Sequence, residues 1–180
     1  MSLGDNVRAH IMKHKKTVLL ALFTAMALVL SLVESALPPL APIPGIKLGL
    51  ANIITLILLQ YFSPTETFYA LLARILLSCL FAGQAMTLIY SLSGGILCFL
   101  CMWGVKKLLR GHFTYLTGMT GGCTHNIGQI LAAWLVTGTP HVLFYLPILL
   151  ISGLLTGLFT GLCAHFTKRH LSSFFYRNNN

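Results

Sequence analysis

Six apolar runs, each close to the length of a membrane-spanning helix, dominate the pattern of hydrophobic and polar positions along the chain. A hydrocarbon core of roughly 30 Å requires about 20 apolar residues per helix. Polar turns that contain Gly, Pro, Ser or Gln separate the runs. The pattern therefore predicts six spanning helices, at Thr17–Leu37, Ile46–Phe62, Glu66–Ala82, Ala85–Val105, Leu116–Thr137 and His141–Phe166.

Composition agrees with a membrane location. Hydrophobic residues make up 56% of the 180 positions and charged residues only 8%, and the mean hydropathy is +0.82. These values exclude a water-soluble single domain. The predicted fold class is an all-α integral membrane protein, a six-helix bundle over residues 17–166 with an N-terminal segment, 1–16, and a C-terminal tail, 167–180.

Basic residues give the expected orientation, because Lys and Arg in short loops stay on the cytoplasmic side of a membrane. With the N-terminus inside, only Lys47 falls in an outer loop. The inner segments hold Arg8, Lys13, Lys15, Lys16, Lys106, Lys107, Arg110, Lys168, Arg169 and Arg177. The net charge of +9 is therefore a topology signal and not a nucleic-acid-binding stripe. We expect a multi-pass protein of the cell membrane with both termini in the cytoplasm.

Acidic residues are too few for most catalytic sites. Asp5, Glu34 and Glu66 are the only carboxylates, so a two-metal site or an Asp-rich diphosphate site lacks its ligands. The five cysteines lie inside apolar runs, where they act as small hydrophobic residues. Cys98 and Cys101 form C-x-x-C, but no second Cys or His pair accompanies them in a polar loop. We expect no catalytic residue, no metal and no cofactor.

Arg74 lies midway along the third run, where a charge costs about 2.5 to 3.5 kcal/mol on insertion scales. A buried ion pair with Glu34, from the first run, is one explanation. Contact with a ligand is an equally good one, and one arginine can do both.

The fifth run is too polar to face lipid. His125 and Gln129 are four residues apart, and Asn126 and Gln129 are three apart, so these side chains and Gly122 share a helical face. Interhelical hydrogen bonds alone would explain them. We favour a cavity, because amides, an imidazole and glycines provide both space and hydrogen-bonding groups.

Most intramembrane polar residues fall in the outer half of the predicted bundle. This distribution predicts a pocket that opens outward under the Pro38–Gly45 loop and suits an anionic or heteroaromatic ligand. The predicted ligand-binding residues are Glu34, Lys47, Asn52, Arg74, Tyr90, His125, Asn126 and Gln129.

Small residues at four-residue spacing predict helix packing surfaces. Gly153, Gly157 and Gly161 in the sixth run indicate an internal contact. Ala21 and Ala25 in the first run could equally contact another membrane subunit.

Two motifs carry a resemblance to a known family. PGIKLGLANI, residues 44–53, and GGCTHNIGQ, residues 121–129, resemble the Gx transporter family, whose members are often named heptaprenyl diphosphate synthase component I. The similarity extends from Thr17 to about Phe166. The family is similar in turn to the S components of energy-coupling factor transporters. That resemblance implies a six-helix ligand binder that docks, through Ala21 and Ala25, on a coupling subunit driven by two ATPases.

Several functions are compatible with these features. The leading hypothesis is a membrane-embedded, substrate-binding transporter subunit that takes its energy from a partner, since the sequence has no Walker loop. The family name favours an accessory membrane subunit for a prenyl diphosphate synthase, without catalytic residues of its own because Asp-rich motifs are missing; quinone- or flavin-related transport is a further reading. A purely structural scaffold is the third hypothesis.

Overall fold

The computed structural model describes residues 3–36, 47–83 and 85–177, and within these residues it contains helices and no strands. The α-helices are α1 (Leu3–Ala36), α2 (Asn52–Tyr61), α3 (Pro64–Ala82), α4 (Ala85–Leu108), α5 (Thr114–Thr137) and α6 (Leu146–Arg177). A 3-10 helix, Pro140–Tyr145, leads into α6. The all-α prediction is confirmed.

Within the residues that the structure describes, four helical stretches are long and apolar enough to cross a membrane. They are His14–Ala36, Pro64–Phe81, Ala85–Leu108 and Pro140–Arg169. Large apolar side chains on their surfaces, such as Leu80, Phe81 and Phe144, are exposed. A hydrocarbon solvent would cover such side chains without penalty, so the chain is a helical membrane protein.

The second apolar run is helical over only part of its length. The pattern predicts Ile46–Phe62, but α2 begins at Asn52, and residues 47–51 are not helical. A 10-residue helix is about 15 Å long, half the thickness of a bilayer core. The prediction was wrong at this boundary because hydropathy does not distinguish an apolar non-helical segment from a helix.

Other boundaries differ at the two ends of the chain. The first helix begins at Leu3 and the last ends at Arg177, so helical structure extends into both predicted flanking segments. The predicted bounds of the third, fourth and fifth helices lie within three residues of the observed ones.

Three contacts between helices lie at one end of the bundle, and each of them involves a lysine. Lys16, in α1, forms an ion pair with Glu66 at the start of α3 (2.9 Å). The hydroxyl of Tyr61, at the end of α2, donates to the backbone carbonyl of Lys168 in α6 (3.1 Å). The Lys106 ammonium, near the end of α4, donates to the carbonyl of Leu59. We call the end of the bundle that holds these residues the basic end.

Glycines allow α5 to pack directly against the backbones of α4 and α6. A Cβ atom built on Gly122 would lie 2.1 Å from the carbonyl oxygen of Gly153 in α6. A Cβ on Gly128 would lie 2.7 Å from the carbonyl oxygen of Ser93 in α4. Because no side chain separates these helices, α5 is closely held on two sides. The expected packing role of Gly153 is confirmed.

The other helices pack through side chains. The main apolar core contains Leu56 and Leu59 of α2, Leu71 and Ile75 of α3, and Phe99 of α4, all buried. This core fills the space between the short helix α2 and its neighbours.

Candidate functional site

Unpartnered buried polar atoms are concentrated in one part of the molecule. Among the described residues, eight buried side-chain nitrogen or oxygen atoms have no hydrogen-bond partner. One is Nε2 of Gln60, near the basic end. The other seven belong to Asn52, Arg74, His125, Asn126 and Gln129, which the sequence predicts as ligand-binding residues. None of these five side chains is more than 5% exposed.

Three of the five come from α5, and they face two different neighbours. The Cγ of Gln129 and Cε1 of His125 lie against Gly94 of α4, 2.8 Å and 3.0 Å from a Cβ atom built there. Asn126 instead faces α6, where its Nδ2 donates to the carbonyl of Leu149 (2.5 Å). Asn126 therefore ties two helices together, and its Oδ1 is left without a partner.

The imidazole of His125 lies between two glycines. A Cβ on Gly49 would be 2.9 Å from Cδ2 of the ring, and Gly94 approaches the ring from α4. Any side chain at Gly49 or Gly94 would occupy the space of the imidazole. Neither ring nitrogen forms a hydrogen bond of good geometry within the described part of the chain, although the ring lies against the backbone of Gly94.

Asn52 is the first residue of α2 and lies close to His125. A Cβ on Gly49 would be 2.7 Å from Nδ2 of Asn52, so the amide and the imidazole share the same glycine surface. Both polar atoms of the Asn52 side chain are buried without a partner. The non-helical segment 47–51 thus places an amide beside the imidazole. A regular helix through residues 46–62 would not have this turn.

Gln129 links α5 to the non-helical segment. Its Oε1 accepts a hydrogen bond from the backbone amide of Lys47 (3.3 Å). Its Nε2 has no partner among the residues described. We call Asn52, Arg74, His125 and Gln129 together the polar cluster.

Arg74 lies on α3, and its side chain is 5% exposed. It is within electrostatic range of Glu34, Lys47 and His125. Within the described residues, however, no ion pair or hydrogen bond to its guanidinium is present, and its Nε is buried without a partner. The ion pair with Glu34 that the sequence suggested as one explanation of Arg74 is not formed.

Glu34 binds backbone instead. Its Oε1 accepts from the amide of Gly49, and its Oε2 accepts from the amide of Leu50 (3.1 Å). A carboxylate that accepts two backbone amides makes strong, charge-assisted hydrogen bonds. Glu34 therefore fixes the segment before α2. Lys47 lies beside it and donates from Nζ to the hydroxyl of Ser35 (2.6 Å).

Tyr90 lies outside the polar cluster. It is buried in a separate apolar group with Ile130, Ala133 and Leu149, covered by residues near the 3-10 helix. The Pro38–Gly45 loop, which we expect to cap the pocket, lies outside the described residues.

Two site features escaped the sequence analysis. The first is Gly49, which borders both Asn52 and His125. The second is the pair of hydrogen bonds that the backbone amides of residues 49 and 50 donate to the Glu34 carboxylate. The sequence pointed to the first feature only through Gly49 itself, a glycine two residues after Lys47. Its φ of +86° requires a residue without a Cβ.

The polar cluster is suited to binding. It presents free donors, on Arg74, Asn52 and Gln129, and a free acceptor on Asn52. A neutral imidazole adds one donor and one acceptor. Within the described residues, no three His, Cys, Asp or Glu side chains lie close enough to hold a metal ion. This set can surround a small molecule that carries both hydrogen-bond donors and acceptors.

Comparison with known proteins identifies one family. The model of a family described as heptaprenyl diphosphate synthase component I matches residues 23–167. The matched segment includes every residue of the polar cluster. Neither the curated proteins nor the solved structures gave a match.

Proposed function

The chain belongs to the heptaprenyl diphosphate synthase component I family, and from this premise we propose that it is a membrane-embedded binding subunit. It holds a small polar ligand at the polar cluster and relies on partner proteins for energy or for chemistry. Glu34 and Lys47 shape the site from the non-helical segment, Asn126 supports it from α5, and Tyr90 contributes through packing.

One observation carries this proposal. Among the described residues, seven buried polar atoms in five residues of this region lack partners, and each such atom costs roughly 1 to 3 kcal/mol. Helix-to-helix hydrogen bonds, the simpler explanation of polar residues in a membrane, account for the Nδ2 of Asn126 but not for these seven atoms. A ligand at the polar cluster with complementary groups would satisfy six of them; the seventh, Oδ1 of Asn126, belongs to a side chain that faces α6.

Six membrane crossings with both termini cytoplasmic fit this role. The contacts at the basic end join Lys16 of α1 to the start of α3, and the end of α2 to Lys168 of α6 and to the end of α4, as alternating crossings require. The second crossing would combine the non-helical residues 47–51 with α2, which is about 15 Å long. Non-helical backbone at membrane depth is tolerated where protein groups pair it, as Glu34 and Gln129 do here.

For energy we propose the arrangement of an energy-coupling factor S component, with a transmembrane coupling subunit and an ATPase pair. Ala21 and Ala25 lie on an exposed face of α1 together with Leu22 and Val29. Two small residues one turn apart would allow another helix to approach closely.

A second candidate rests on the family description, which names a component of a synthase. In that case the partner is a prenyl diphosphate synthase catalytic subunit. The chain itself would be non-catalytic, because three carboxylates cannot form the Asp-rich motifs that hold magnesium against a diphosphate.

Purification under gentle conditions, followed by mass spectrometry of retained small molecules and proteins, tests both candidates. We expect wild type to retain a ligand and the variants Asn52→Ala and Gln129→Ala to lose it. Gly104→Ala, in open space on α4, is the control and should behave as wild type. Retention of the same molecules by wild type and both variants would contradict the binding function.

The partner is tested with the double variant Ala21→Leu/Ala25→Leu. We expect it to lose the copurifying partner, whereas Val29→Leu, on the same exposed face, keeps it. An ATPase pair with a membrane subunit supports the first candidate and a soluble Asp-rich synthase the second. Full assembly of the double variant would contradict docking through this face.

A further inference from the structure

The guanidinium of Arg74 forms no ion pair with a carboxylate among the described residues. The chain has three acidic side chains, and Glu34 hydrogen-bonds the backbone amides of Gly49 and Leu50 and interacts with the charge of Lys47 as well as that of Arg74. Glu66 is bound at the basic end by Lys16 and Ser63. Asp5 lies in α1 29 residues before Glu34, about 43 Å along the helix axis at 1.5 Å per residue. The described residues therefore supply no ion-paired counter-charge for Arg74.

The local charge balance leads to the same conclusion. Glu34 and Lys47 carry opposite charges and lie within electrostatic range of each other, and both are within range of Arg74. One positive charge is therefore left over at a side chain that is 5% exposed. A buried charge without a partner is among the least favourable arrangements in a protein.

We infer that the ligand of the polar cluster carries a singly charged oxyanion, a carboxylate or a phosphodiester, which pairs with Arg74. This inference rests on the proposed binding function and specifies its ligand class. A guanidinium presents parallel N–H groups that match two oxygens of such a group. His125, Asn52 and Gln129 then contact the uncharged part of the ligand, since their free atoms include both donors and acceptors.

Two sources provide this chemistry: a water-soluble carboxylate, or the headgroup of an anionic lipid such as phosphatidylglycerol. The purified full chain separates them. In neutral detergent, thermal unfolding is measured in sodium benzoate and in sodium chloride of equal ionic strength. In phosphatidylcholine nanodiscs, it is measured with and without phosphatidylglycerol.

We expect benzoate or phosphatidylglycerol to raise the Tm of wild type, because binding to the folded state stabilises it by mass action. Arg74→Gln should abolish this shift. Arg74→Lys keeps the charge but loses the planar fork, and we expect the half-maximal concentration to rise about tenfold. Glu66→Gln should keep the anion-dependent shift, because Glu66 is bound by Lys16 and Ser63 at the basic end, away from the polar cluster.

The direction in which Arg74→Gln changes the Tm without an added anionic ligand provides an independent test. In chloride alone, Arg74→Gln removes an unpaired charge, so its Tm should equal or exceed that of wild type. A lower Tm that is also non-additive with Glu34→Gln would show a structural pair and overturn the inference. So would an anion-dependent shift that survives in Arg74→Gln, or a wild type that responds to neither anion.

Failure of this inference differs from failure of the proposed function. A ligand that wild type and Arg74→Gln retain equally, and that Gln129→Ala loses, refutes the anionic class and leaves the binding role standing. Retention unchanged in all the polar-cluster variants refutes the binding role itself.

Discussion

The α4–α5–α6 side and the α1–α2–α3 side of the bundle are held together by different means. On the first side, glycines such as Gly122 and Gly153 bring helix backbones into direct contact. On the second, side chains such as Leu59, Leu71 and Ile75 fill the space between helices, and Glu34 pairs the non-helical backbone. The first side has almost no freedom to rearrange, whereas the second can adjust rotamers and side-chain hydrogen bonds.

The polar cluster lies where the two sides meet. His125 and Gln129 come from α5, the most tightly held helix, while Arg74 and Asn52 come from the side-chain-packed half. A binding site needs groups fixed within a fraction of an ångström, and rigid elements provide that best. If part of the site moves to admit a ligand, we expect it to be the segment before α2 and not α5.

We expect the largest loss of stability when one methyl group is added where Gly122 of α5 contacts the backbone of Gly153 in α6. In Gly122→Ala the new Cβ would lie 2.1 Å from a backbone oxygen of α6, which cannot rotate away. We expect a loss of at least about 3 kcal/mol in the free energy of unfolding. Gly104→Ala is the matched control, because nothing lies within 4 Å of its Cβ position; it should gain roughly 0.5 to 1 kcal/mol from helix propensity.

Unfolding in detergent with increasing denaturant measures both variants. Equal stabilities would show that α5 is not held by backbone contact, and the contrast between the two sides would be lost.

We expect a smaller loss of stability from a substitution at Gly49, the glycine beside the polar cluster. Gly49 and Gly83 both have positive φ, +86° and +65°, so an alanine is strained at either position. Only at Gly49 would the Cβ also meet Asn52 and His125. We expect Gly49→Ala to cost about 2 kcal/mol more than Gly83→Ala, by the overpacking penalty, and to release the retained ligand.

Because backbone strain is common to both variants, their difference isolates the steric contact. Ligand retention by Gly49→Ala equal to that of Gly83→Ala would place the binding site away from His125.

Glu34→Gln tests how the non-helical segment is held. An amide side chain has one oxygen, so the amide of Gly49 or Leu50 would lose its acceptor, and neither bond would be charge-assisted. We expect a cost of about 1.5 kcal/mol and faster hydrogen exchange at residues 49 and 50, with α5 unchanged.

The control is Glu66→Gln, whose ion pair with Lys16 is at the surface and worth roughly 0 to 1 kcal/mol. Exchange at residues 49 and 50 that is identical in wild type and Glu34→Gln would show that another group holds the segment.

The sequence predicted the helices from one physical signal, the length of apolar runs, and it failed where that signal is ambiguous. Residues 48–51 contain only apolar residues and glycine, as a membrane helix does, but Glu34 and Gln129 accept hydrogen bonds from the backbone amides of residues 47, 49 and 50, which lets this backbone leave the helical path. Such acceptors come from distant helices. No local pattern therefore indicates that α2 begins at Asn52.

The sequence predicted which residues form the site better than it predicted which groups those residues bond to. Polar residues are costly in a membrane, so Arg74, His125 and Gln129 could be singled out by type and depth alone. Their partners could not, because the choice of Glu34 between Arg74 and two backbone amides depends on distances of a few ångströms. Tyr90 shows the same limit, since a tyrosine at this depth suits either a polar pocket or the apolar group that it joins.

The smallest effect concerns a hydrogen bond within the side-chain-packed half. The hydroxyls of Ser31 in α1 and Ser78 in α3 lie 3.0 Å apart, and both residues are buried. In a membrane such a bond is worth about 0.6 kcal/mol, because the separated helices find other partners for their hydroxyls. We therefore expect Ser78→Ala to lower the free energy of unfolding by about this amount, and Ser31→Ala to add little once Ser78 is gone. A double-mutant cycle by denaturant unfolding measures this coupling. A coupling as large as the Gly122→Ala effect would mean that α1 and α3 are held by specific polar contacts and are as rigid as α5, and motion at the site would then have to occur elsewhere.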